Sequence, residues 1–82
     1  MFKRESFAIA DIYVPTKRRT TLKLDVVQKI ATSMLEVGQE TPILVRRDGQ
    51  RFVLVEGLHR LEACKALGET TIIGYVVQAR KH

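Results

Sequence analysis

A basic pair stands where a helix is predicted to begin. The stretch VEGLHRLEACKALG, residues 55–68, predicts a strand end followed by a short helix, with His59 and Arg60 in the first turn. Cations are unfavourable there, because the first N–H groups lack partners and the helix dipole is positive. A bound anion would reverse this cost, since the backbone and both side chains could donate to it. The stretch therefore predicts a phosphate site formed by Gly57, Leu58, His59 and Arg60.

The same residues allow a purely structural interpretation. Arg60 could pair with the carboxylate of Glu56 or of Asp48. His59 could lie on the surface or stack against a neighbouring side chain. The anion site is thus one of two hypotheses, and the positions of these side chains in space distinguish them.

The overall charge favours an anionic partner. The chain has 82 residues, a formal net charge of +5 and 45% apolar residues, as expected for one small folded domain over residues 1–82. The basic groups that could contact DNA or phosphate are Lys17, Arg18 and Arg19, and Arg46 with Arg47. A solvated surface that promotes solubility is the alternative for each group. Charge alone does not choose among nucleic acid, nucleotide and an acidic protein.

Cysteine usage and hydropathy exclude several classes of protein. The single cysteine, Cys64, cannot form an intramolecular disulfide, and no Cys/His cluster is present that could build a metal site from the protein alone. The first residues lack the uninterrupted apolar run of a signal peptide, and no segment reaches the roughly 20 apolar residues of a membrane span. We therefore expect a cytoplasmic protein without a membrane partner.

The hydrophobic pattern predicts the elements that would position the helix start. Residues 7–14, FAIADIYV, are rich in β-branched and aromatic side chains and predict a first strand, which Pro15 ends. After a polar, basic connection, apolar residues at helical spacing predict an amphipathic helix from an Asp25 N-cap to Gly38. Its predicted apolar face consists of Val27, Ile30, Ala31, Met34 and Leu35.

The second half of the chain predicts a hairpin and a second helix. Residues 42–47 and 51–57 are apolar runs on either side of an Asp-Gly turn, which is a strong hairpin signal. The following helix has one apolar side, and we expect Cys64 to be buried there as a small core residue.

A last strand completes the predicted fold. Residues 70–77, TTIIGYVV, have the composition of a strand, and Gly74 indicates a bulge or a close backbone approach. The element order is then strand, helix, strand, strand, helix, strand. This order predicts an α/β (α+β) fold, a small mixed sheet with helices over its apolar face.

Four stretches together resemble a known superfamily. They are IADIYVP, SMLEVG, TPILVR and VEGLHRLEACKALG, which span nearly the whole chain. In this combination the chain resembles the ParB N-terminal domain and sulfiredoxin superfamily. The helix-opening G-E-R-R motif of ParB proteins, which ends in an alanine, is matched by Gly57, Arg60 and Ala63, with Leu58 and His59 in place of its Glu and first Arg.

The resemblance implies a nucleotide site at the same turn. In the superfamily this helix start holds the phosphates of CTP in ParB, and of ATP or ADP in sulfiredoxin and the free serine kinases. By this resemblance, Thr41 and Pro42 would lie near the nucleoside, Arg18 or Arg19 would contact a phosphate or DNA, and Mg²⁺ would accompany the triphosphate. Glu56 stands where the serine kinases carry an acidic residue before the glycine, which suggests a metal-assisted or base role for it.

The chain also departs from its relatives. Sulfiredoxin has its catalytic cysteine at the position of Leu58, and a leucine cannot act as a nucleophile, so sulfiredoxin activity is not expected. ParB partition proteins continue into a helix-turn-helix DNA reader and a dimerisation domain. This chain ends soon after its last predicted strand, so we expect a stand-alone domain that does not bind a centromere sequence by itself.

Three functions fit these observations. The first is a ParB-like module, of bacterial origin and carried on a plasmid or phage, that binds CTP or ATP and acts in DNA maintenance, partition or regulation. The second is a nucleotide-independent protein that binds the DNA backbone, and a ParB-like nuclease is a weaker enzymatic variant. The third is a protein-interaction domain that has lost its ligand. A homodimer or a larger DNA-processing partner is compatible with each of them.

Overall fold

The computed structural model describes residues 3–39 and 41–78, which form one mixed sheet of five strands and three helices. The strands are β1 (Glu5–Ala8), β2 (Ile12–Tyr13), β3 (Ile43–Asp48), β4 (Arg51–Glu56) and β5 (Thr71–Val76), and the helices are α1 (Thr16–Arg19), α2 (Leu24–Val37) and α3 (Leu58–Ala66). The strand order is β1-β5-β3-β4-β2. Strands β1 and β5 and strands β3 and β4 are antiparallel, whereas β5 pairs with β3, and β2 with β4, in parallel. The predicted small mixed α/β sheet is confirmed.

The prediction of one strand over residues 7–14 is wrong. This segment contains the end of β1, a short 3-10 turn at Ile9–Asp11 and then β2. The buried side chains show the reason: Phe7 and Ile9 alternate as in a strand, but the next buried residue is Ile12, so the alternation changes phase at the turn. The predicted element order therefore lacked β2, and it also lacked α1, which lies in the basic connection.

The sheet is strongly curled. Strands β1 and β2 lie at opposite edges, although only the turn at Ile9–Asp11 separates them in sequence. In a flat sheet these edges would be roughly 19 Å apart, whereas the chain from Ala8 to Ile12 reaches at most about 14 Å. Accordingly, Phe7 of β1 contacts Phe52 of β4 edge to face, with ring centroids 4.9 Å apart. The side chains buried deepest inside this curl are Ile43, Val45, Leu54, Leu61, Cys64 and Ile72.

Helix α2 packs on α3 rather than on the sheet. It begins at Leu24 with Lys23 as the N-cap, so Asp25 lies in the first turn and is not the predicted cap. Of the predicted apolar face, Val27 is buried, but Leu35 is 74% exposed. A helix that packs mainly against one neighbouring helix buries only a narrow stripe, which explains why the prediction for Leu35 is wrong. No helix in the two described ranges combines the length and the apolar character that a membrane crossing requires.

The hairpin, the second helix and the last strand are confirmed as β3–β4, α3 and β5. Gly74 is indeed a position of close backbone approach: a Cβ there would lie 2.9 Å from Ile43 Cγ1 and 3.0 Å from the Ile43 carbonyl oxygen. The irregularity in strand pairing lies elsewhere, between Leu44 and Val45. A side chain at residue 74 would thus separate β5 from β3.

Cys64 is a core residue, as predicted. Its side chain is 2% exposed in the hydrophobic core. Burial raises the pKa of the Cys64 thiol, the negative charge of Glu69 raises it further, and Arg60 opposes both effects. The raised pKa keeps the sulfur in its unreactive thiol form at neutral pH.

Candidate functional site

The start of α3 is built around a glycine that no other residue can replace without strain. Gly57 is the N-cap, with φ 113° and ψ 30°, in the left-handed region that favours glycine. A Cβ at this position would lie 2.5 Å from Ile43 Cγ2. No side chain caps α3, so its first N–H groups have no partner of the usual capping kind in the described chain. The local backbone therefore leaves several donors at one point, as an anion site requires.

A cleft of about 680 Å³ opens at this helix start. Its walls come from four parts of the fold: the loops around α1, the inner side of α2, the entry to β3, and the end of β5. The predicted site residues that line the cleft are Arg18, Thr41, Pro42, Glu56, Gly57, Leu58, His59 and Arg60. The structure thus brings together residues that lie on different elements and are far apart in the sequence.

Arg60 does not use the carboxylates that the structural alternative offered. Within residues 3–39 and 41–78, no ion pair joins Arg60 to Glu56 or to Asp48. Asp48 instead accepts from Arg51 Nε at 3.1 Å. Arg60 is half-buried and also lines a small groove against Lys29 of α2. Arg60 therefore lines the cleft at the helix start, and no ion pair within the described ranges compensates its charge.

His59 makes a hydrogen bond that the sequence did not predict. The backbone N–H of Lys23 donates to His59 Nε2 at 3.0 Å. The imidazole thus acts as an acceptor and joins the first turn of α3 to the start of α2. In this arrangement Nε2 cannot donate to an anion, and only Nδ1 remains for that purpose.

Leu58 belongs to both the cleft and the core. Its side chain is 6% exposed and packs in the hydrophobic cluster, and it also forms part of the cleft floor. Because the side chain packs in the core, it does not obstruct the free N–H groups of the helix start. The contribution of Leu58 to the helix start is its backbone N–H, which has no partner within the helix, as in any first-turn residue.

The remaining basic residues do not converge on the cleft. Lys17 and Arg19 are exposed on α1, whereas Arg46 and Arg18 line a second groove of about 380 Å³. Arg47 follows Arg46 on β3 and therefore points to the other face, where its guanidinium lies 5.4 Å from the Phe52 ring centroid. Arg18 is the only predicted DNA or phosphate contact among these five that lines the main cleft in the described chain.

Gln39 is a functional residue that sequence reasoning missed. Its Nε2 donates to the carbonyl oxygens of Thr41 at 3.0 Å and Ile73 at 2.8 Å, and its Oε1 accepts from the Ile73 N–H at 2.8 Å. The side chain therefore pairs with β5 as a neighbouring strand would, just before β3 begins. It fixes the loop that presents Thr41 and Pro42 to the cleft. Nothing in the local sequence distinguishes it from an ordinary polar turn residue.

Five further cleft residues were also missed: Thr21, Val26, Ile30, Leu44 and Tyr75. Val26 and Ile30 of α2 and Tyr75 of β5 form its apolar and aromatic walls. The Tyr75 hydroxyl accepts from Arg4 Nε at 3.3 Å. Helical periodicity predicts that α2 has an apolar side, but it does not predict what that side faces. The position of Tyr75 beside the cleft likewise depends on the curl of the sheet.

The carboxylates are too few to form a metal site by themselves. In the described ranges, no group of three or more His, Cys, Asp or Glu side chains lies close enough to hold a metal ion. Glu56, which is exposed at the end of β4, is the acidic residue that lines the cleft there. A single carboxylate beside phosphate oxygens is a frequent arrangement for Mg²⁺ bound with a nucleotide.

The curled sheet and the cleft at the start of α3 define a small α/β domain with one prominent cleft, and comparison with known proteins identifies its family. The model of the ParB N-terminal domain matches residues 5–82. A probable chromosome-partitioning protein ParB of Campylobacter jejuni is 32% identical over 62 residues, which cover 76% of this chain and 22% of that protein. The chain therefore belongs to the ParB N-terminal domain family, and it spans about a fifth of the length of this curated relative.

Solved structures show the same fold. Sulfiredoxin from Arabidopsis thaliana matches with a TM-score of 0.84 and 23% identity, over 94% of this chain and 86% of that chain. ParB from Caulobacter crescentus, C-terminally truncated and complexed with CTP-gamma-S, matches with a TM-score of 0.82 and 23% identity, over 96% and 46%. The same Caulobacter protein complexed to the centromeric parS site matches with a TM-score of 0.76 and 21% identity, over 94% and 40%. Proteins with two different activities thus share this fold. The function of this chain must therefore be argued from the residues of its cleft.

Proposed function

We propose that this domain binds a nucleoside triphosphate, CTP or ATP, at the Gly57–Arg60 turn and acts in the cytoplasm in DNA maintenance, partition or regulation. The observation that carries the proposal is the convergence of the uncapped α3 start with Thr41, Pro42 and Arg18 around one cleft. The volume of about 680 Å³ is within the range of small-molecule and cofactor sites. The Caulobacter relative with CTP-gamma-S supports the choice of a nucleotide over other anions.

Each wall of the cleft has a role in this proposal. The N–H groups after Gly57 and the guanidinium of Arg60 hold phosphate oxygens through charge-assisted hydrogen bonds. Arg18 reaches the same anion from the other side of the cleft. Thr41 and Pro42 lie at the entry to β3 and contact the nucleoside. The walls at this end are partly apolar, which suits a base and sugar better than a second phosphate.

Glu56 fits the Mg²⁺ that a triphosphate carries. A magnesium ion takes most of its oxygen ligands from phosphates and water, and one protein carboxylate is sufficient. Glu56 is placed to be that ligand, because it precedes the turn that would hold the phosphates. When bound, the ion would neutralise phosphate charge next to the carboxylate.

We expect Arg60→Ala to weaken nucleotide binding by about 10–100-fold, because a hydrogen bond to a charged group contributes about 1.5–3 kcal/mol. The measurement is a calorimetric titration of CTP, ATP, ADP and GTP with Mg²⁺ into the wild type and the variant. Arg46→Ala is the matched control, since Arg46 lies outside the main cleft and should leave binding unchanged. Absence of binding by every nucleotide at high micromolar wild-type protein would refute the proposal.

A second candidate function rests on the exposed cations of α1. Lys17 and Arg19 are exposed and lie next to the groove that Arg18 and Arg46 share. Such a surface could bind the DNA backbone without a nucleotide and without sequence preference. The relative complexed to the parS site supports a DNA partner for the family, although that protein is longer than this chain.

Under this second function, Arg19→Glu should reduce the slope of log affinity against log salt by about 1 or more, because each phosphate contact contributes about 0.9 to that slope. The measurement is fluorescence anisotropy with a short labelled duplex at several salt concentrations. Lys65→Glu is the matched charge reversal, since Lys65 lies at the far end of α3 from the cleft and pairs with Glu62. Equal effects of the two variants would show that only net charge matters and would exclude α1 as the contact surface.

A further inference from the structure

The hydrogen bond between Lys23 and His59 defines the protonation state of the imidazole. The backbone N–H of Lys23 donates, so Nε2 must carry a free lone pair at 3.0 Å from that nitrogen. In a neutral imidazole with an acceptor at Nε2, the single proton lies on Nδ1. A doubly protonated imidazole has no acceptor and would present an N–H to the N–H of Lys23. The bond therefore exists only with neutral His59.

This bond joins two walls of the cleft. His59 lies in the first turn of α3, and Lys23 is the N-cap of α2, which contributes Val26 and Ile30 to the opposite wall. No side chain of α2 itself caps the helix start. The imidazole is thus the side chain that is bonded to the backbone at the beginning of α2 in the described chain.

We propose that His59 is a positioning residue that holds the start of α2 against the start of α3 only while its imidazole is neutral. The separation of the two cleft walls then depends on pH. This role differs from direct phosphate binding by His59, and it does not require that the ligand be a nucleotide. Acidification through the range in which an imidazole gains charge, about pH 8 to 5, releases the Lys23 N–H and loosens the first turn of α2.

Charged side chains line the cleft beside the hydrogen bond between Lys23 and His59. The charged and titratable side chains that line the cleft with His59 or stand at the start of α2 are Arg18, Lys23, Asp25, Glu56, Arg60 and Tyr75. Three of these are cations, and the Lys23 backbone N–H faces Nε2 directly. A proton on Nε2 would add positive charge beside these cations and would break the hydrogen bond that joins the two helix starts. Both effects favour release of Lys23 rather than a rearranged contact.

Nuclear magnetic resonance on the whole domain without ligand tests the proposal. In the wild type at about pH 7.5 we expect imidazole nitrogen shifts of the Nδ1–H tautomer, and a Lys23 amide that is protected from hydrogen exchange. At about pH 5 the protection factor of Lys23 should fall about tenfold, the loss expected for one hydrogen bond. The His59→Gln variant should keep protection at both pH values, because a glutamine oxygen accepts the same bond and does not titrate.

Three results would support or overturn the proposed role of His59. An Nε2–H tautomer in the wild type at about pH 7.5 would overturn the proposal, and so would a Lys23 protection factor that does not change on acidification. Loss of pH dependence in His59→Gln, with Lys23 still protected, would support it. The wild-type spectra alone can refute it if the variant fails to fold. Since no ligand is present, the result is independent of whether the domain binds a nucleotide.

Discussion

Replacing Gly57 with alanine should destabilise the domain by roughly 2–6 kcal/mol, the sum of a backbone forced into the left-handed region and an overpacked contact. The alanine Cβ would lie 2.5 Å from Ile43 Cγ2 and 2.9 Å from Ile43 Cβ, and Ile43 is completely buried. For a domain of this size each kcal/mol lowers Tm by about 4–8 °C. Thermal unfolding followed by circular dichroism measures the loss. The same change would displace the first turn of α3, so we expect it to abolish the anion binding proposed for this turn.

Gly49→Ala is the control that separates the two causes. Gly49 has a φ of 63° and no heavy atom within 4 Å of an added Cβ, so an alanine there meets only the backbone cost, roughly 1–2 kcal/mol. The double variant Gly57→Ala with Ile43→Ala tests the contact itself. If the clash is real, the double variant loses less stability than the two single changes added together. Simple additivity, or a Gly57→Ala variant as stable as Gly49→Ala, would show that the Ile43 contact is unimportant.

Gln39→Ala should lower the free energy of unfolding by about 2–3 kcal/mol, although Gln39 lies in a loop and not in the core. The change removes three hydrogen bonds and leaves the N–H and the carbonyl of Ile73 without the partner that the side chain provided. Urea unfolding of the wild type and the variant gives the free energy of unfolding. We also expect weaker nucleotide binding, because the loop that carries Thr41 and Pro42 loses its attachment to β5.

Two further variants make the Gln39 result specific. Gln28→Ala is the matched control, since Gln28 is exposed on α2 and its loss should change stability by less than about 0.5 kcal/mol. In Gln39→Glu the carboxylate can still accept from the Ile73 N–H, but it faces two carbonyl oxygens to which glutamine donated. It should therefore be at least as destabilised as the alanine variant at neutral pH. A Gln39→Glu protein as stable as the wild type would mean that the donated bonds contribute nothing.

Local signals led to the central residues of the candidate site. Gly57 and the cations after it are neighbours in sequence, and the physical chemistry of a helix start connects them without knowledge of the fold. The hairpin was also predicted from a local signal, because an Asp-Gly turn between apolar runs fixes the pairing of the two strands. Thr41, Pro42 and Arg18 were assigned through a family resemblance, and in the structure they line the same cleft.

The contacts that were missed depend on distant parts of the chain. Gln39 is significant only because β5 places Ile73 beside it, and His59 only because α2 begins at Lys23. Side-chain to backbone hydrogen bonds over more than thirty positions leave no periodic signal in the sequence. Arg46 and Arg47 illustrate the opposite error. They form one basic group in the sequence, but consecutive residues of a strand point to opposite faces.

The position of β1 and β2 has a consequence for how the protein is made. These strands belong to the first part of the chain, yet β1 pairs with β5 and β2 pairs with β4, which are synthesised much later. On the ribosome, the segment that emerges first must remain without its partners until nearly all of the described chain has been translated. The hairpin β3–β4 and helix α3 can form before that point, because their contacts are local. Closing of the sheet must therefore wait until β5 has been translated, and the segment that carries β1 and β2 must stay unaggregated until then.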